Sequence, residues 1–137
     1  MGNRAVITAG TTPASPCIYL HWNGGYASVL AFLKAAKDLG IRRMPWNNAG
    51  QARAFDAIAA VVAGPFFGCD VGRTVYRETY GETDTNNHDN GVYVIDERLN
   101  ICDRLFTRLG REEVDPAKTS AVYEQIMARA PVFNGEL

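Results

Sequence analysis

The sequence predicts an α+β domain, a mainly antiparallel sheet with about three helices packed on it as one sheet layer and one helix layer. Three observations carry this. Segments rich in β-formers occur in local pairs rather than alternating one-for-one with helices. Three stretches place apolar residues at helical spacing. Proline, glycine and asparagine clusters separate them at turn-like intervals.

Taken in order, Arg4 to Thr8 reads as a short strand, ended by Gly10-Thr11-Thr12-Pro13. A second strand, Cys17 to Trp22, follows Pro16 and stops at Asn23-Gly24-Gly25, so the pair predicts a hairpin with a loose loop. The next segment is the clearest helix. Val29, Leu30, Phe32, Leu33 and Ala36 form one apolar stripe, Lys34, Lys37 and Asp38 face away, and Gly40 sits where a C-terminal cap belongs. Asn48 offers an N-cap for a second helix with Phe55, Ile58, Ala59 and Val62 on one face, and Gly64-Pro65 ends it. Phe66-Phe67-Gly68-Cys69 is expected to pack under the sheet. Arg73 to Tyr80 alternates loosely as an edge strand, and Gly81 to Gly91 is a polar loop. Gly91 to Asp96 and Ile101 to Phe106 read as two strands joined by a tight turn. Asp115-Pro116 starts a last helix with Val122, Tyr123, Ile126, Met127 and Ala130 on its apolar face, and Pro131 ends it. The order is β-β-α-α-β-β-β-α.

A chain of 137 residues predicts one domain, with 103–137 read as an extension carrying one helix. The 14 basic residues against 15 acidic ones argue against a dedicated nucleic-acid binder, whose affinity comes largely from neutralising phosphates. Cys17, Cys69 and Cys102 are odd in number, far apart and not at metal-ligand spacing, so reduced thiols and a cytoplasmic setting are expected. No apolar run reaches membrane-span length, so no membrane partner is expected.

The segment with the most chemistry is Leu20 to Ser28. A strand that runs into two glycines and then a helix gathers backbone N–H groups and the positive helix end, a place for an anion. His21, Trp22, Asn23, Gly24, Gly25 and Ser28 are therefore the ligand-binding candidates. The arrangement resembles the phosphate loop of the PP-loop ATP pyrophosphatases, Ser-Gly-Gly-x-Asp-Ser, with Asn23 in the place of the serine and Ala27 in that of the aspartate. The plainer reading is a glycine turn capped by Asn23 or Ser28, with one of His21 and Trp22 packed and the other exposed.

The loop Asp84 to Gly91 partly fits a calcium loop through Asn86, His88, Asn90 and Glu97, but it lacks the leading acid, and no metal is expected there. Asp70, Asp84 and Asp89 are acids that a fold could gather, yet no local signature pairs them with His21 or His88 as catalytic residues. Arg42, Arg43 and Trp46, with Tyr26, make an aromatic and basic surface of the composition favoured in binding hot spots, and these are the partner-binding candidates. Lys34 and Lys37 extend that basic edge. Arg98, Arg104, Arg108 and Arg111 mix with Asp103, Glu112 and Glu113 as ordinary surface pairing.

Together, Met1-Gly2-Asn3-Arg4-Ala5-Val6-Ile7, Tyr19 to Gly25 with Ser28-Val29 and Phe32-Leu33, and Asp89 to Tyr93 resemble a family of small proteins carried by phages, plasmids and integrated elements of bacteria. The resemblance covers most of residues 1–100 and brings no catalytic residue or cofactor with it. It implies a setting in which small proteins act on host or rival machinery. The leading expectation is a non-catalytic protein-binding module, an anti-CRISPR or anti-restriction inhibitor of a defence complex. The alternative is a nucleotide or phosphate-ligand binding protein or enzyme built on the Asn23-Gly24-Gly25 turn.

Overall fold

Alternation of apolar residues in the paired segments does produce strands. The computed structural model describes residues 3–41, 44–107 and 114–130. Among these, β1 (Ala5–Thr8), β2 (Pro16–Leu20), β3 (Val75–Thr79), β4 (Val92–Ile95) and β5 (Ile101–Leu105) form one sheet. The helices are α1 (Tyr26–Asp38), α2 (Asn48–Val61) and α3 (Pro116–Arg129). The fold is α+β, as the patterning predicts.

The sheet order is β3-β2-β1-β4-β5. Every neighbouring pair is antiparallel except β1 and β4, which run parallel with Ile7 opposite Tyr93. β3 and β4 consequently point the same way with two strands between them, so residues 80–91 must cross the sheet. They start at the β1–β2 connection, where Tyr80 N–H donates to Ser15 O and Gly81 N–H to Pro13 O, and finish beside Arg4, whose carbonyl accepts from Asn90 N–H. The crossing covers the face away from the helices, where Val6, Cys17 and Val92 form a small second core against Tyr19, Tyr80, Val94 and Leu105. The main core lies on the other face. Ala5, Ile7, Ile18, Leu20, Tyr93 and Ile95 meet Val29, Phe32, Leu33, Phe55 and Ile58 there.

Helix ends follow local chemistry, with two departures. Gly40, at φ +93°, follows α1 as the expected cap. α2 is capped by Asn47 rather than Asn48: the Asn47 side chain accepts from Gly50 N–H at 2.8 Å. Gly64-Pro65 does not end the helix either. The chain widens into a π turn over Val62–Phe67, which relieves the clash of a proline ring with the carbonyl four residues back, and stops at left-handed Gly68. Phe66 and Phe67 therefore lie not under the sheet but on α1, with ring centroids 5.3 and 6.5 Å from Phe32. α3 is capped by Asp115, which accepts from Lys118 N–H at 3.1 Å, and it buries Val122 and Ile126 as predicted.

The β4–β5 turn is organised by Asp96, whose carboxylate accepts from the N–H groups of Arg98 and Asn100. Leu99 enters the core from this turn at φ +60°, an uncommon conformation for a leucine that its full burial sustains.

Candidate functional site

One end of the sheet, where β1 and β4 begin and β2 stops, collects most of the distinctive side chains. Tyr19 and Tyr76 are cross-strand partners on β2 and β3, with ring centroids 5.9 Å apart. His21 lies two residues past Tyr19, hence on the same face, with Nδ1 3.2 Å from the Tyr19 hydroxyl. Trp22 meets the His21 ring edge-on at 5.2 Å.

Regular pairing ends at Leu20, but the ladder still holds His21. Its N–H donates to Thr74 O at 3.0 Å and its carbonyl accepts from Asn3 N–H at 3.1 Å. The expectation that one of His21 and Trp22 would be packed is corrected: both are exposed, Trp22 by 44%. The physical reason is that regular strand pairing ends at Leu20, and among the described residues neither ring is covered. Burial pushes the Tyr19 hydroxyl above its ordinary value, with Arg4 opposing, so it stays protonated beside His21.

Arg4 flanks this row. Its Nε donates to Asp89 Oδ2 at 2.8 Å and its backbone N–H to the same oxygen at 3.1 Å. Partial burial alone would raise the Asp89 carboxyl, but the Arg4 hydrogen bonds and charge outweigh it and hold the group below its usual value. The Asn90 amide donates to the Asn3 side chain and to Arg4 O. The crossing loop is thereby tied to the first residues of β1.

The glycine turn is built by packing. Asn23 turns the chain at φ +57°, and its amide lies 3.5 Å from the Ser28 hydroxyl, which is fully buried. Gly24 is buried, its N–H donates to Asn3 O at 2.8 Å, and its carbonyl accepts from the Tyr93 hydroxyl at 2.7 Å. A Cβ on Gly24 would sit 2.6 Å from Ala5 Cβ and from Asn3 O. The close approach that requires glycine is thus to the chain's own first strand, and the Gly24 N–H is already used. Gly25 is the N-cap of α1, with no side-chain cap bond.

Of the partner-binding candidates, Tyr26 and Trp46 are half-buried and packed against the main core. Arg42 and Arg43 lie outside the described residues, as do Arg108, Arg111, Glu112 and Glu113 of the second charged cluster. Lys34 pairs with Asp38 at 3.2 Å and covers the Tyr123 ring, and Lys37 contacts the Asn100 side chain. Arg104 is half-buried, with its guanidinium over the Tyr93 ring at 3.8 Å and a bond to Asn90 O at 2.7 Å.

The calcium-like loop is organised by the residue that the spacing skipped. Asn87 is fully buried, its amide donates to the carbonyls of Asp84 and Gly91, and its oxygen accepts from the N–H groups of Asp89 and Gly91. Asn86 and His88 point their exposed surface to solvent. Among the described residues no group of three or more His, Cys, Asp or Glu side chains is placed to hold a metal ion, and no helix is long and apolar enough to cross a membrane.

Both sheet edges are blunted. On β3, Val75 O accepts from Gly72 N–H, and Thr79 O accepts from Glu82 and Thr83 N–H. On β5, the Arg104 N–H is taken by the Asp103 carboxylate at 2.8 Å. These bonds remove groups that an added strand would need. Recesses lie elsewhere among the described residues. A polar one of about 430 Å³ lies at the end of the π turn beside Cys69, Asp70 and Arg73, and a more apolar groove of about 420 Å³ lies between α1 and α3.

No protein-family model, curated protein or solved structure matches this chain.

Tyr19 and Tyr76 are the site residues that sequence reasoning missed. Tyr19 could have been paired with His21 from the two-residue period of a strand. Tyr76 could not, because the β2–β3 register joins positions 57 residues apart.

Proposed function

We infer that this chain is a non-catalytic protein-binding module whose contact surface is the aromatic row Tyr76-Tyr19-His21-Trp22. The observation that carries this is Trp22, a large ring left 44% exposed yet held edge-on against His21. Positioned aromatic rings give contact area at low entropic cost, and tryptophan and tyrosine are enriched among residues that dominate binding energy. The blunted edges favour docking on side chains over strand addition. The Arg4–Asp89 pair places one cation and one anion at the rim of the row, where polar groups suit an interface.

The resemblance to small proteins of phages and plasmids directs the choice of partner to a host or rival defence complex, and the role to an anti-CRISPR or anti-restriction inhibitor. The phosphate-ligand alternative is weakened at Gly24, whose N–H and carbonyl are both engaged within the fold.

The test is capture of a stoichiometric partner from host lysate by the tagged chain, run beside Trp22→Ala and Val114→Ala. Val114 is an exposed apolar residue at the α1–α3 groove, on the helix side. The reading expects a partner kept by Val114→Ala and lost by Trp22→Ala, with both variants folded. A partner retained equally by Trp22→Ala removes the surface, and no stoichiometric partner removes the reading.

A further inference from the structure

α3 is held differently from the other two helices. In α1, eight of 13 residues are buried, and in α2 seven of 14; in α3 the count is two of 14, Val122 and Ile126. Tyr123, Met127 and Ala130 are only half-buried against the main core, Lys34 covers the Tyr123 ring, and side-chain hydrogen bonds are spaced along the length of α3. Thr119 donates to Ala27 O at 2.9 Å, Tyr123 to Asp38 at 2.6 Å, Gln125 to Phe66 O at 3.2 Å and Arg129 to Pro65 O at 3.4 Å. All four acceptors lie on α1 or the π turn.

The acceptors on the π turn have a particular origin. The last carbonyls of a helix lack donors from within it. At the end of α2, Gly64 O accepts from Gly68 N–H and Ala63 O from Cys69 N–H, while Gln125 and Arg129 of α3 donate to Phe66 O and Pro65 O. α3 therefore finishes a helix end that water can finish equally well. A surface groove of about 420 Å³, lined by Leu30, Lys34 and Tyr123, runs along the outside of its N-terminal half. Few buried side chains and bonds that water can replace are the features of a segment that opens on its own.

We propose that α3 is a latch, detaching as a unit from α1 and the π turn while the sheet, α1 and α2 stay folded. Opening uncovers the π turn, including Phe66 and Phe67, which pack on Phe32. The chain then presents a second aromatic surface, formed by Phe66 and Phe67 at the end of α2, that is closed in the docked state.

The test is native-state hydrogen exchange on the full chain across low urea concentrations, in the wild type and in Ile18→Val. Ile18 is fully buried in the sheet core. After correction for intrinsic rates, the Val122 and Ile126 amides are expected to exchange at least 100-fold faster than those of Ile7 and Ile18, with a shallower urea dependence. Ile18→Val is expected to speed the sheet amides about threefold to tenfold and to leave the α3 amides unchanged, because their opening does not break the sheet. If the α3 amides share the rate and urea slope of the sheet, or accelerate by the same factor in Ile18→Val, the latch is overturned and α3 belongs to the cooperative core.

Discussion

The Tyr93 hydroxyl donates to the Gly24 carbonyl at 2.7 Å, joining the middle of β4 to the strand-to-helix turn 69 positions earlier. Both groups are buried, and Gly24 also has no room for a side chain against Ala5 and Asn3. Gly24→Ala is expected to lower stability by about 1–3 kcal/mol through overpacking, and Tyr93→Phe by about 1–3 kcal/mol through the carbonyl it leaves unpaired. Urea melts of both variants check this. A neutral Gly24→Ala would reopen the turn as a ligand site.

Asn87 closes the crossing loop from inside. Replacing it by alanine takes the acceptor from the buried Gly91 N–H, while the Gly91 carbonyl keeps the bond from Val6 N–H and the Asp84 and Asp89 groups lie nearer solvent. The expected cost is about 1–3 kcal/mol, the penalty for one buried group left unsatisfied. Amide exchange should rise first in residues 81–91. Unchanged exchange there would mean that the loop is held by something other than Asn87.

The Arg4–Asp89 pair makes stability depend on acid. Burial raises the Asp89 carboxyl, Arg4 lowers it more, and the net folded value lies below the unfolded one. The sign follows: the contribution is fully present above the unfolded value of about 4 and is lost as pH falls through the folded value. Asp89→Asn is expected to cost up to about 1 kcal/mol at neutral pH and to flatten the acid limb of a stability–pH profile below about pH 4. Parallel profiles for the wild type and the variant would remove the pair as the cause.

The three thiols should react in order of access. Cys102 is exposed, Cys69 half-buried, and Cys17 fully buried under the crossing loop. Burial, reinforced by the Glu78 charge, pushes the Cys17 thiol up to about 12. Since the thiolate is the nucleophile, a disulfide reagent at pH 8 is expected to label Cys102 first, Cys69 more slowly, and Cys17 only at the rate of loop opening or unfolding. Rapid labelling of Cys17 would contradict the covered face.

Much of the fold was legible because it rests on local chemistry. The stripe of Val29, Phe32, Leu33 and Ala36, the cap at Gly40, and Asp115-Pro116 each act within a few residues. The two helix-end departures were less legible, since Asn47 and Asn48 have the same capping chemistry and only backbone geometry chooses between them. Gly64-Pro65 reads as a stop, yet packing of Phe66 and Phe67 on Phe32 accompanies a turn that continues to Phe67. The candidate site was half legible. His21 and Trp22 stand out in the sequence, whereas Trp46 looked equally exposed and is packed on the core.

What the sequence by itself determined is the class and order of elements, because the periods of strand and helix are written in neighbouring residues. What only the tertiary structure decided is which distant residues meet: Tyr76 beside Tyr19, Asp89 on Arg4, Gly24 beneath β1, α3 along α1 and the π turn. Those choices depend on β1 pairing parallel with β4 and on the crossing loop that this order forces. Strand order is a long-range packing outcome, and no local pattern in 137 residues encodes it.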